Sequence, residues 1–170
     1  MAMGFIIGGH MQTFVPFADF DKSAAVLDNK RLNKQLLEGR QILGILATRK
    51  TKGAWVNHPA VKMWRGYEAA LFKYLLAIRN ECVARGIETN KNWNAIVDIH
   101  TNALYSSTHY ELPAWWDDER VHVSHRFNLY RKDPKYYNVF EYEQNYTCCD
   151  RCNYFWPTHT LFYNNDLTAA

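Results

Sequence analysis

The spacing of large apolar residues between Ala60 and Cys82 constrains this chain more than any other feature. Ala60, Trp64, Tyr67, Leu71, Leu75, Ile78 and Cys82 recur every three or four positions. That is the period of one helix face; a half-buried strand would alternate every second residue. Asn57-His58-Pro59 opens the pattern, with proline at the first turn where no amide donor is required. Gly86 stops it. One long helix from Pro59 to Gly86 is therefore expected, with Trp64 and Tyr67 read as core in preference to ligand-stacking surfaces.

A second amphipathic helix precedes it. Asp28 is placed to cap it, and Leu32, Leu36, Leu43 and Leu46 fall on one face. Arg31, Lys34, Glu38 and Gln41 fall on the other, with Gln35 at the edge, which reads first as a solvated stripe. Asp19 or Asp21 caps a short helical turn through Leu27. A further helix covers Trp93 to Leu104, and a last one runs from Asp118 to about Arg131, stopped by Asp133-Pro134. Met11-Gln-Thr-Phe-Val-Pro16 reads as an extended arm, because proline disfavours helix at the preceding residue. Leu112-Pro-Ala-Trp-Trp116 reads as an aromatic loop packed over the helices, and Tyr136 to Pro157 as irregular.

The fold class expected is all-α: a compact single domain with long aromatic-rich loops, over residues 11–157. Residues 1–10 read as an extension ahead of a natural start at Met11, because Gly8-Gly9-His10 resembles a cloning junction. Residues 158–170 read as a tail. The chain has 170 residues, enough for one core, and no apolar run approaches the roughly 20 residues a bilayer requires. Its net charge of +3 permits nucleic-acid binding without arguing for it; a basic face matters more than the total.

Basic residues gather in two places, Lys30, Arg31 and Lys34 on the first long helix and Arg126, Arg131 and Lys132 on the last. Two such elements on one surface could grip two phosphate strands. Glu38, one turn after Lys34, is either a simple helix ion pair or a carboxylate kept ionised among cations, able to move a proton or stabilise a sugar-like cation. His122 and His125 share a helix face and could meet phosphate or metal. Cys149, Cys152 and His159 make a poor zinc set, with Cys148 an awkward fourth ligand, and reduced thiols in a cytosol are the simpler reading. No phosphate-cradling glycine loop, nucleophile elbow or dinucleotide fingerprint is present.

Several segments together resemble a known family. These are Met11-Gln-Thr-Phe14, Leu27-Asp-Asn-Lys-Arg-Leu-Asn-Lys-Gln35, Asn57-His-Pro-Ala-Val-Lys-Met-Trp-Arg-Gly-Tyr67, and His122-Val-Ser-His-Arg126 with Arg131-Lys-Asp-Pro134. They look like the bacterial and phage branch of the pyrimidine-dimer DNA glycosylases, related to phage endonuclease V. Asn80-Glu-Cys-Val-Ala-Arg-Gly86 is similar to the end of that enzyme's long second helix.

The resemblance implies a helical fold of the endonuclease V type that kinks duplex DNA and flips a base out of the stack. It also implies cleavage of the glycosidic bond by an amine attacking the sugar C1′, then strand nicking at the abasic site. In the phage enzyme the amine belongs to a Thr exposed by removal of Met; Thr13 here stands third from Met11, behind the bulky Gln12. The family's helix-1 carboxylate directly follows an Arg, whereas Gln35 follows Lys34 here, leaving Glu38 and Lys34 as substitutes. The catalytic candidates are thus Glu38, Lys34, Gln35, Arg31 and Thr13. The candidates for DNA contact are Gln12, Lys30, Asn57, His58, Lys62, Arg65, His122, His125, Arg126, Arg131 and Lys132. Duplex DNA is the expected partner, with no membrane, no cofactor, a monomeric state and a cytoplasmic location. A non-catalytic DNA-binding module, or an enzyme acting on modified nucleotides or RNA, would use the same scaffold.

Overall fold

The computed structural model describes residues 11–48, 52–53, 55–103, 110–145 and 154–157. Six α-helices run through them: α1 (Phe20–Val26), α2 (Asn29–Ala47), α3 (Pro59–Lys62), α4 (Glu68–Ala84), α5 (Asn90–Asn102) and α6 (Glu119–Lys132). A 3-10 helix follows at Asn138–Asn145. No strand occurs among the described residues, so the fold is all-α as expected.

Helix starts are set by local chemistry. Asp19 accepts the Lys22 amide at α1, Asp28 the Arg31 amide at α2 and Asp118 the Arg120 amide at α6, each satisfying one orphan donor of the first turn. His58 does the same at α3, its Nδ1 accepting the Ala60 amide at 3.1 Å.

The long helix expected from Pro59 to Gly86 is two. Gly66, at φ +86°, turns the chain left-handed between α3 and α4, and its amide donates to the Glu68 carboxylate at 3.0 Å. The apolar spacing survives the break because a tight turn of about one helical pitch returns Trp64 and Leu71 to the same core. The stretch after Tyr136 also departs from expectation, winding into the 3-10 helix where irregular chain was read. It is tied to α2 by the Tyr137 hydroxyl, which donates to the Asp28 carboxylate at 2.7 Å and accepts the Asp28 amide at 2.9 Å.

Helix α2 is the centre, packed on α4 and α5, while α1 packs on α4 and α6 on the 3-10 helix. Gly39 lets α2 approach α4 closely: a Cβ there would overlap a Leu75 methyl. Trp115 and Trp116 close the core from the expected loop, the Trp115 indole donating to the Met63 carbonyl at 2.7 Å. No helix among the described residues is long and apolar enough to cross a membrane.

Candidate active site

The N-terminal arm is extended, as proline at position 16 dictates, but it is not a free arm. Residues 11–16 are all buried. Extended backbone inside a helical core has no ladder partner, so side chains from three helices must satisfy its polar groups. From α2, Gln35 Oε1 accepts the Phe14 amide at 2.8 Å. From α4, the Tyr74 hydroxyl lies 2.7 Å from the same Gln35 oxygen and 3.0 Å from the Phe14 carbonyl. From α6, His125 Nδ1 accepts the Val15 amide at 2.8 Å and Arg126 donates to the Pro16 carbonyl at 2.8 Å.

This threading delivers the arm to one carboxylate. Glu38 is only 6% exposed, although it lies on what reads as the polar side of α2. Its Oε2 faces the Gln12 amide at 3.4 Å and the Gln35 side-chain nitrogen at 3.4 Å. Its Oε1 lies 3.4 Å from the Lys34 ammonium, which is itself exposed. Gln35 has no rotational choice: with Oε1 accepting from Phe14 and Tyr74, its amide nitrogen must point at Glu38. Burial pushes the Glu38 carboxyl above the usual carboxylate range, against the opposing pull of Lys34, the Gln12 amide and Lys132.

Cations rim this carboxylate. Burial lowers the Lys132 ammonium, and repulsion from Arg31 and Lys34 lowers it further. Arg31 is pinned, paired with Asp28 and set 5.2 Å over the Tyr137 ring. Burial raises Asp28, but its hydrogen bonds from Tyr137 and Arg31 outweigh that and hold it below the usual range. Lys30, Lys34, Arg131 and Lys132 are exposed. Arg31 and Lys34 of α2 are thereby brought near Arg131 and Lys132 of α6, while Arg126 is buried elsewhere. Burial, then the Glu38 charge, push the Tyr154 hydroxyl up; its ring packs against Phe14 and His125.

Other predicted residues lie elsewhere. Thr13 is fully buried, its hydroxyl accepting the Trp64 indole at 2.8 Å, and Gln12 is buried with its side-chain oxygen on the Thr13 amide. His122 sits between the carbonyls of Val15 and Trp116 at 2.7 and 2.8 Å. Burial, then the nearby His122 and Arg126, push the His125 ring down to about 3, so it is neutral. Arg126 is buried between Glu143 and Glu119, at 2.7 and 2.6 Å. These five are held inside the protein, where the sequence placed Thr13 in the catalytic set and the other four at DNA; Gln12, His122, His125 and Arg126 satisfy backbone groups of the arm, and Thr13 holds the Trp64 indole. Asn57 and Arg65 are exposed and Lys62 partly so, on and around α3. Cys148, Cys149, Cys152 and His159 lie outside the described residues, among which no group of three His, Cys, Asp or Glu side chains is placed to hold a metal.

Sequence reasoning missed Tyr74, whose hydroxyl shares the Gln35 oxygen next to the carboxylate. Tyr74 falls in the apolar stripe of α4, where nothing in the spacing separates a site-facing hydroxyl from a core ring.

The arm, α2 and the turn around α3 also carry the likeness to known proteins. The family model for pyrimidine dimer DNA glycosylase matches residues 11–95, from the start of the arm into α5. The chain belongs to the pyrimidine dimer DNA glycosylase family. No individually curated protein and no solved structure matches it. The matched span holds Glu38, Lys34 and Gln35, and the glycosylase family's expected action on DNA accords with a buried carboxylate under exposed cations. Helix α6, which adds Arg131 and Lys132 to the rim, lies beyond the match.

Proposed function

We propose that this glycosylase excises a damaged pyrimidine from duplex DNA, with Glu38 as its acid–base group and the cationic rim of α2 and α6 on the phosphates. The observation that supports it is Glu38 itself: a carboxylate buried beside the exposed Lys34 ammonium, its proton affinity raised by burial. Family membership supplies the substrate class.

Lys34 carries the amine nearest Glu38 in this chain. Glu38 takes a proton from the Lys34 ammonium, and the freed amine attacks C1′. The glycosidic C–N bond breaks, its electron pair leaves with the base, and Glu38 returns the proton to it. Opening of the sugar ring gives a Schiff base, and β-elimination then breaks the C3′–O bond, nicking the strand. The target nucleotide must leave the stack to reach a carboxylate this deep, at a cost of a few kcal/mol that is smaller for damaged bases.

Borohydride trapping tests the amine. A covalent adduct with dimer-containing and abasic duplexes is expected, and Lys34→Met abolishes it. An adduct that persists in Lys34→Met overturns Lys34 as the nucleophile. Base release without an adduct defeats the lyase step alone. Binding with no base release at any enzyme excess defeats the glycosylase reading in favour of a non-catalytic DNA-binding module.

A further inference from the structure

Arg31 is held on α2 by two layers of contacts. Asp28 Oδ2 pairs with its Nη1, and the centre of the Tyr137 ring lies 5.2 Å from the guanidinium carbon. Asp28 cannot swing away. Its Oδ1 accepts the Arg31 amide at 2.9 Å, while the Tyr137 hydroxyl donates to Oδ2 at 2.7 Å and accepts the Asp28 amide at 2.9 Å. Tyr137 is in turn fully buried and stacked on Phe140. A surface ion pair contributes little by itself and needs no second layer of this kind.

What stays free is an edge. A guanidinium carries five N–H donors and no acceptor. Asp28 and Tyr137 take the Nη1 corner and one face, and the described residues supply no hydrogen-bond acceptor to Nε or Nη2. The side chain keeps 15% of its surface exposed, so it is not sealed. Its orientation is fixed before anything binds, and two parallel N–H groups match two oxygens of one phosphate. Burial, then repulsion from Arg31 and Lys34, lowers the Lys132 ammonium, so the edge opens among other cations. Arg31 also shares a face of α2 with Glu38, which follows two turns later, about 10.5 Å along the axis.

We propose that Arg31 holds the 3′-phosphate of the target nucleotide and stabilises it as the leaving group of strand nicking. The proposal rests on the reading that the chain cleaves through a Schiff base, and it gives a residue to the elimination step. In that step Glu38, ionised again after giving its proton to the base, takes a proton from C2′. The C2′–H electron pair becomes the second C2′–C3′ bond, and the C3′–O pair leaves on the phosphate oxygen. The phosphate passes from a singly charged diester to a monoester of higher charge. Charge that appears only during the reaction is best met by donors already in place. No other phosphate of the duplex changes its charge, so the fixed guanidinium is assigned to this one.

The full chain and product-like duplexes test the site without catalysis. Each duplex carries a one-nucleotide gap whose downstream strand begins with a 5′-phosphate or a 5′-hydroxyl. Wild type is expected to bind the phosphate end about ten-fold tighter or more, and Arg31→Gln to level the two. Arg31→Lys keeps the charge without the two-pronged edge, should retain at most about a third of the preference, and carries the test alone if Arg31→Gln does not fold. On a preformed abasic duplex, Arg31→Gln should form the borohydride-trapped adduct as wild type does and nick about a hundred-fold more slowly. Adduct and nicking that fall together, in step with stability in urea, would mark Arg31 as structural and overturn the proposal. Equal wild-type affinity for the two gapped duplexes, or wild-type nicking by both variants, overturns it as well. Absence of nicking in wild type removes the leaving-group role together with the lyase step. Phosphate-end preference and Arg31-dependent nicking without release of any base support the proposal and overturn the glycosylase reading. Base release with equal end affinities does the reverse.

Discussion

Replacing Gln35 by Glu tests the central geometry through stability, without need of a substrate. Gln35 is fully buried, with Oε1 taking the Phe14 amide and Tyr74 hydroxyl and its nitrogen 3.4 Å from Glu38. A carboxylate there keeps the first two contacts and turns the third into a like-charge contact. Two unit charges about 3.4 Å apart at an effective dielectric near 20 repel by about 5 kcal/mol. Lys34, at 3.4 Å from Glu38, offsets part of this, leaving an upward shift of roughly 2 pH units or more in the pair's second ionisation.

The folded pair thus holds a proton that the unfolded carboxyls, near their ordinary value of about 4.3, have already lost. Stability of Gln35→Glu is fully present below that value and falls as pH rises towards the raised one, because the folded state binds more protons in that interval. Guanidinium unfolding followed by tryptophan emission between pH 4.5 and 8.5 measures it. The variant should match wild type within about 1 kcal/mol at the acid end and lose about 3 kcal/mol at the alkaline end. Gln35→Leu is the control: it strands the Phe14 amide at about 1–3 kcal/mol, while the Tyr74 hydroxyl keeps the Phe14 carbonyl, with no such slope. A Gln35→Glu penalty that does not change with pH would refute the placement of the amide nitrogen against Glu38.

Three further outcomes follow from the same structure. Glu38→Gln should abolish base release while duplex binding persists; because the raised carboxyl costs wild type stability as pH climbs above the unfolded value, the variant's melting temperature should gain on wild type from pH 4.5 to 7.5, and a constant gap would count against the buried ionisable carboxylate. Gly39→Ala forces a methyl against Leu75 and should cost about 1–3 kcal/mol in chemical denaturation, unlike an ordinary helical glycine, which gains on replacement by alanine. Arg131→Gln and Lys132→Gln should each lower the salt slope of duplex binding by about 0.9 log units per log unit, read from isotherms between 50 and 250 mM salt; unchanged slopes would remove α6 from the DNA face.

What the sequence determined by itself was local. Asp19, Asp28, His58, Asp118 and Gly86 mark helix ends because a cap acts within one turn of its own position. The leucines of α2 and the stripe of α4 reveal their buried faces because helical period is a local property. The family likeness was legible for the same reason, since its motifs are short runs along α2 and the turn before α3.

Tertiary structure decided the rest. Burial of the arm depends on Gln35, Tyr74, His125 and Arg126, which lie 21, 60, 110 and 110 residues from the groups they hold. Only their convergence turns Glu38 from a stripe residue into a buried carboxylate, and Gln35 from an apparent vacancy in the chemistry into the group that aims it. The same convergence draws His122, His125 and Arg126 inward. Proton affinity is set by what surrounds a group in space, and here every decisive neighbour of Glu38 outside α2 arrives from another element of the fold.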